Sequence, residues 1–244
     1  MTDRDRFPAT RHSVVAALGG DDPAAAERAW DTLVRGYWRP VYAYLRLRWH
    51  FSHDDAQDLT QEFFGRAHAR GFFDRFDAAK ARFRTFLRVC LDRFVLKERE
   101  SLGRAKRGGG MPHLSLDFSG ADREYVPEVA DPGADPEVLF RREWVRALFA
   151  AVVEALRARA EVSGKTVPFE VFRLYDLEGS DAPPRPTYEQ LADRFGIPAT
   201  QVTNHLSAMR RAFRKEALAQ LLAQSGTEEE YRADARELFG AHVP

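Results

Sequence analysis

Residues 187–215 read TYEQLADRFGIPATQVTNHLSAMRRAFRK. Thr187 and Gln190 have the Ser/Thr-x-x-Glu/Gln spacing of a capping box, in which two otherwise unpaired amide donors at a helix start are satisfied reciprocally. Leu191, Ala192 and Phe195 follow at helical spacing as its buried face. Gly196 stands where a sharp turn between helices needs a positive φ, a conformation a residue without Cβ adopts freely. Pro198 suits the opening of a second helix. That helix carries Val202, Leu206, Met209 and Phe213 along one face, at steps of four, three and four. The opposite face holds Gln201, Thr203, Asn204, Ser207, Arg210 and Arg211. The pattern is that of a helix-turn-helix, whose second helix enters the DNA major groove with its N-terminal residues on base edges. Amides can read adenine, and arginine reads guanine or holds phosphate. A helical hairpin in an ordinary α-bundle gives the same apolar pattern. Against that, Arg194–Lys215 contains five basic residues and no acid, whereas a solvated structural face mixes signs.

Outward from this hairpin the chain keeps a helical period, and alternating β-branched runs are nearly absent, so the expected fold class is all-α. Trp30, Leu33, Val34, Tyr37, Val41, Tyr44 and Leu45 form a stripe over residues 23–48, with Pro40 suited to the first turn of a new helix. Ala56, Leu59, Phe63 and Ala67 form the next, with Ser52 as its N-cap. Phe83, Phe86, Leu87, Cys90, Leu91 and Phe94 form a third. These helices make an N-terminal domain, residues 1–103. A linker, 104–136, begins RAKRGGG and continues rich in proline, glycine and acids. A second helical domain, 137–225, contains the hairpin, preceded by a Gly/Pro-rich break at 179–186. An acidic helix near Glu228–Phe239 closes the chain, within a tail spanning 226–244.

The 244 residues contain 37 Lys plus Arg and 37 Asp plus Glu. This zero is a cancellation between patches. Residues 80–107 hold ten basic residues and three acids, a net of +7, and 194–215 hold +5. Residues 51–64 carry −4, residues 117–143 carry −5, and the stretch from Ser225 onward carries −3. With a Debye length of about 8–10 Å at physiological salt, such patches act locally, and net neutrality does not exclude nucleic-acid binding. In the basic stretch 80–107, aromatics are interleaved: Phe83, Phe86 and Phe94 fall on the core stripe, while Phe72, Phe73 and Phe76 fall in a loop, where exposed rings can stack on unpaired bases.

Asp58, Gln61 and Glu62 share one exposed helix face at i, i+3 and i+4. A solvated face, a protein-docking face and, least of all, a metal site using His50, His53, Asp54 and Asp58 are open for it; the spacing matches no zinc or di-iron pattern. Phosphate-loop, nucleophile-elbow, His-Glu-x-x-His and Cys-x-x-Cys motifs are missing from the sequence, so neither enzymatic activity nor a cofactor or metal is expected. The single cysteine, Cys90, lies on an apolar stripe as a packed thiol. No apolar run follows Met1–Arg6, and the longest one, Leu148–Val153, is far below the ~20 residues of a membrane span. A cytoplasmic protein without a membrane span is expected.

The run DDAQDLTQEFFGRA (Asp54–Ala67), then FDAAKARFRTFLRVCLDRF (Phe76–Phe94), then the helix-turn-helix, resembles bacterial RNA polymerase sigma factors of the extracytoplasmic-function type. The resemblance covers about residues 30–107 and 144–222. It implies a protein that binds core RNA polymerase, through the clamp and flap of its largest subunits, and directs it to promoter DNA. Asp58, Leu59, Gln61 and Glu62 match the family's polymerase-docking motif. The loop 71–82 matches the segment that captures a flipped base of the −10 element, with Phe76, Lys80, Arg82, Arg84 and Arg88 along the melted strand. Gln201, Thr203, Asn204, Ser207, Arg210 and Arg211 match the helix that reads the −35 element. The linker would thread near the RNA exit path, its acids mimicking RNA phosphate. The chain departs from the family pattern in carrying Phe86 for a Trp, Asp92 and Arg93 near a usual Asn, few basic residues near Thr203 and His205, a longer stretch at 161–186 and an extra acidic tail. The last two bring self-inhibition into view, beside an anti-sigma factor, as a means of regulation. A stand-alone helix-turn-helix regulator, or a polymerase-binding adaptor without promoter activity, are the alternatives.

Overall fold

The computed structural model describes residues 22–77, 79–105, 135–178 and 185–240, together with Leu18. Most of the expected linker and most of the 179–186 break lie outside the described residues. Those described are helical or in turns, and none lies in a strand. They form α1 (Pro23–Arg48), α2 (His53–Ala69), a 3-10 turn (Phe72–Arg75), α3 (Phe83–Ala105), α4 (Pro136–Ser163), α5 (Thr166–Phe172) running into a π-helical turn (Arg173–Leu177), α6 (Tyr188–Phe195), α7 (Ala199–Gln224) and α8 (Glu228–Phe239). Two compact units result. The first comprises Met1–Ala147 and Leu222–Asp234, and the second Leu148–Leu221 and Ala235–Pro244.

In the first unit, helix starts follow the sequence. Asp22 caps α1 by accepting from the Ala24 amide, with Pro23 in the first turn, and Ser52 caps α2 by accepting from the Asp55 amide at 3.1 Å. Asp54 and Asp55 in that first turn oppose the positive end of the helix dipole. Pro40 does not open a new helix as expected; it lies inside the continuous α1. A proline there removes one backbone hydrogen bond and costs about 3 kcal/mol. Tyr37, Val41, Tyr44 and Leu45 flank it and are all at most 1% exposed. Fully burying one large apolar side chain contributes about 1.5–3 kcal/mol, so the packing of both halves outweighs the lost bond. Around this core, Tyr37 and Phe73 meet Phe83 edge-on, as Phe63 meets Phe94. Cys90 is partly buried, and burial raises its thiol pKa.

The second unit is built on α5, α6, most of α7, the C-terminal part of α4 and the end of α8. Val152, Leu156, Ala160, Phe169 and Ala217 form one buried cluster, and Val171, Phe172, Leu191, Val202 and Leu206 a second. Met209 and Phe213 pack against both. The apolar stripe of α7 continues past Phe213 through Ala217 and Leu221, and its 26 residues run to Gln224.

Candidate nucleic-acid interface

The helix-turn-helix forms as the sequence dictates. The Thr187 hydroxyl accepts from the Gln190 amide at 3.2 Å, and Gln190 Oε1 accepts from the Thr187 amide at 2.8 Å. Gly196 takes φ +63°, and the Ile197 amide donates to the Ala192 carbonyl across the turn. The Pro198 carbonyl accepts from the Gln201 and Val202 amides as α7 begins. With Val202 and Leu206 buried below, Gln201, Thr203, Asn204, Arg210 and Arg211 are exposed and Ser207 is half-buried. The six residues expected to read DNA thus share one outward side of α7. Arg210 has an added constraint: its Nε and Nη2 donate to the two oxygens of Asp176, both at 2.8 Å. Asp176 also accepts from Arg185, whose guanidinium lies 3.8 Å from the Tyr175 ring centre. The hydrogen bond to Asp176 raises the Arg210 pKa against its desolvation.

The basic stretch on α3 is in a different condition. Arg84 is 3% exposed; its Nη1 pairs with Asp234 Oδ2 on α8, and its guanidinium lies 5.0 Å from the Trp144 ring centre. Burial disfavours the Arg84 charge, but the hydrogen bond and charge of Asp234 outweigh it and the pKa is raised. Arg82 Nη1 donates to the other Asp234 oxygen at 2.8 Å. Arg88 donates to Glu137 from Nε and to Asp92 from Nη1, each at 2.8 Å. The Phe83 amide, at the start of α3, donates to Glu230 at 3.1 Å, and the Gly226 amide donates to the same carboxylate at 2.9 Å. Phe76 packs against Phe83 and Phe86, and a Cβ placed on Gly226 would lie 2.8 Å from its ring. Lys80 pairs with Asp77 and stays exposed. Of the five residues expected along a melted strand, Arg82, Arg84 and Arg88 are held by carboxylates and Phe76 lies under the backbone of Gly226.

The partners that hold this face were not read as such in the sequence. Asp92, a departure from the family pattern, is a structural acceptor: Tyr44 Oη and Trp49 Nε1 both donate to it at 3.1 Å, besides Arg88. Burial, with the Asp92 charge next, pushes the Tyr44 pKa up to about 12. The i, i+4 spacing of Arg88 and Asp92 was available as a signal. That of Glu230 and Asp234 puts both on one face of α8, but their α3 partners are about 150 residues away.

On α2, Asp58 is exposed, and Leu59, Gln61 and Glu62 are partly buried. Glu62 pairs with Arg66, which also pairs with Glu98 of α3. His53 Nδ1 is 2.8 Å from the Tyr42 hydroxyl. Among the described residues no group of three or more His, Cys, Asp or Glu is placed to hold a metal ion, and no helix is long and apolar enough to cross a membrane. The loop aromatics expected to contact bases divide. Phe73 is 4% exposed and stacks on Trp30, with ring centres 5.5 Å apart. Beside them Trp30, His68 and Gly71 line an open depression of about 420 Å³.

No family model, no curated protein and no solved structure matches this chain.

Proposed function

We propose that the chain is a sigma factor of the extracytoplasmic-function type, a non-enzymatic subunit that brings core RNA polymerase to promoters. The observation that carries this is the open face of α7. A capped α6, a left-handed Gly196 and a buried apolar stripe leave Gln201, Thr203, Asn204 and Arg211 facing solvent. These are the side-chain types that read base edges and hold phosphate in the major groove. In this reading they contact the −35 duplex. The acidic face of α2, with Asp58 at its exposed edge, docks on the polymerase clamp. The loop 71–82 and the start of α3 hold the melted −10 strand. Extruding a base costs a few kcal/mol, which stacking and pocket contacts must offset.

Run-off transcription with purified core polymerase on a genomic fragment library tests this directly and reports the promoter sequence at the same time. Discrete transcripts that depend on the protein are expected. Failure to bind core polymerase in a pull-down rules the reading out. Asp58→Lys is expected to abolish polymerase binding while leaving the fold intact, since an exposed charge adds little to stability. It is a cleaner probe than a change at Glu62, whose partner Arg66 also holds Glu98. A second reading, a duplex-binding regulator without polymerase, draws on one observation: Arg82, Arg84 and Arg88 are already paired with carboxylates. Such a protein would footprint duplex DNA alone and leave core polymerase unbound.

A further inference from the structure

Resting on the sigma reading, we infer that residues 225–234 are an intramolecular strap that occupies the strand-binding face of α3, with the Asp234 and Glu230 carboxylates standing where nucleic-acid phosphate would bind, and that the strap must leave before a melted strand can enter.

Four observations converge on this. The first is coverage. The strap reaches three of the five residues that the resemblance assigns to the melted strand: Gly226 lies against the Phe76 ring and Asp234 takes both Arg82 and Arg84, while Glu230 accepts from the neighbouring Phe83 amide. The second is chemistry. A backbone amide at the start of a helix, next to two guanidinium groups, is an arrangement that binds phosphate, and here two carboxylates fill it. The third is an imperfect fit. Arginine–carboxylate pairs are frequently two-pronged, as Arg210 is with Asp176. Arg84 instead meets Asp234 through Nη1, and its buried Nε has no acceptor. That guanidinium has a donor left over that the strap does not satisfy and a phosphate oxygen could. The fourth is burial of the acids: Glu230 is 7% and Asp234 2% exposed, so a strand cannot share the arginines while the strap stays. Desolvation raises the Glu230 pKa despite its two amide donors, so this carboxylate is not at ease in the site either.

The test uses the full chain and a fluorescein-labelled 20-nucleotide single-stranded DNA of mixed sequence, read by anisotropy without polymerase. Two strap variants act by different routes. Asp234→Asn with Glu230→Gln removes the competing charge. Gly226→Leu keeps every charge and pushes a side chain into Phe76. Each is expected to bind the oligonucleotide at least tenfold more tightly than the parent. Glu228→Gln with Glu229→Gln, two exposed positions on the same helix, makes the same change in net charge and is expected to shift affinity less than twofold. Equal gains for the two double variants, or no gain from well-folded strap variants, would overturn the strap. If a strap variant fails to fold, hydrogen exchange on the parent protein decides. The Gly226 amide and the first turns of α8 should lose protection when the oligonucleotide is saturating, while α1 and α2 do not. Unchanged or increased protection there overturns the inference. Pull-down with core polymerase separates the two levels. Polymerase retained while the strap variants show no gain sinks the strap alone; gain in the strap variants without polymerase retention sinks the sigma reading alone.

Discussion

Helices α3 and α7 both carry arginines among apolar residues, but they present them differently. On α3 and just before it, Arg82, Arg84 and Arg88 each meet a carboxylate supplied from another part of the chain or one turn away. On α7, Arg211 stands in solvent with Gln201, Thr203 and Asn204, while Arg210 is tied down by a carboxylate in the same unit and Arg214 donates to the Phe239 carbonyl. Local charge density, +7 over 80–107 and +5 over 194–215, does not distinguish the two. What distinguishes them is desolvation. Arg84 has been taken out of water, so its charge needs a partner to offset the lost hydration; Arg211 keeps its water and needs none.

The largest expected break in this contrast is in stability. Arg84→Met leaves Asp234, at 2% exposure, with Arg82 alone, and removing one partner of a buried pair typically costs about 3–5 kcal/mol. Arg211→Met should stay within about 0.5 kcal/mol. Chemical denaturation of both variants reads the difference, and similar losses for the two would erase the distinction. In DNA binding the order reverses. Arg211→Ala should weaken duplex binding on the order of tenfold and lower the salt slope by about one. Arg82→Ala should leave duplex binding unchanged; anisotropy across a salt series measures both. Thr187→Ala removes the cap that orients α6 and should cost about 1 kcal/mol, seen as an earlier thermal transition. Asp176→Asn releases Arg210 and should alter stability by only a few tenths of a kcal/mol, because Arg210 is about half exposed. If it instead abolishes duplex binding, the pair positions the helix rather than restraining one side chain.

A pH series sharpens the α3 side further. The Glu230 pKa is raised by burial, so the folded state holds that proton more tightly than the unfolded chain. Its contribution to stability therefore grows as pH falls through the folded value and is complete below the unfolded one. Relative to Glu230→Gln, the parent should gain stability on acidification from neutral pH, as followed by denaturation midpoints.

The local parts of this molecule were legible in the sequence. The Thr187–Gln190 box, the left-handed Gly196, the Ser52 cap and the limits of α8 all follow from contacts within a few residues. Pro40 was misread for a physical reason: its helix-breaking cost is local, while the burial of Tyr37, Val41, Tyr44 and Leu45 that overrides it depends on distant partners. The covered face of α3 was hidden for the same reason. Its acids, Glu137, Glu230 and Asp234, looked like linker and tail charge, and only folding brings them to Arg82, Arg84 and Arg88. Asp92 looked like a departure from a pattern and is instead the shared acceptor for Tyr44, Trp49 and Arg88.

The order of the chain gives the strap a consequence in time. Helix α3 ends at Ala105, and Gly226 follows about 120 residues later. Arg82 and Arg84 precede Asp234 by about 150 residues, so at the usual synthesis rate of about 5–20 residues per second, during which N-terminal regions fold first, they are made roughly 7–30 s before the acid that covers them. For that interval a nascent chain carries Arg82 and Arg84 without their Asp234 partner, on a ribosome built largely of RNA. Acquisition of the acidic strap is then a late step, and the one that makes this face of the newborn chain electrostatically quiet.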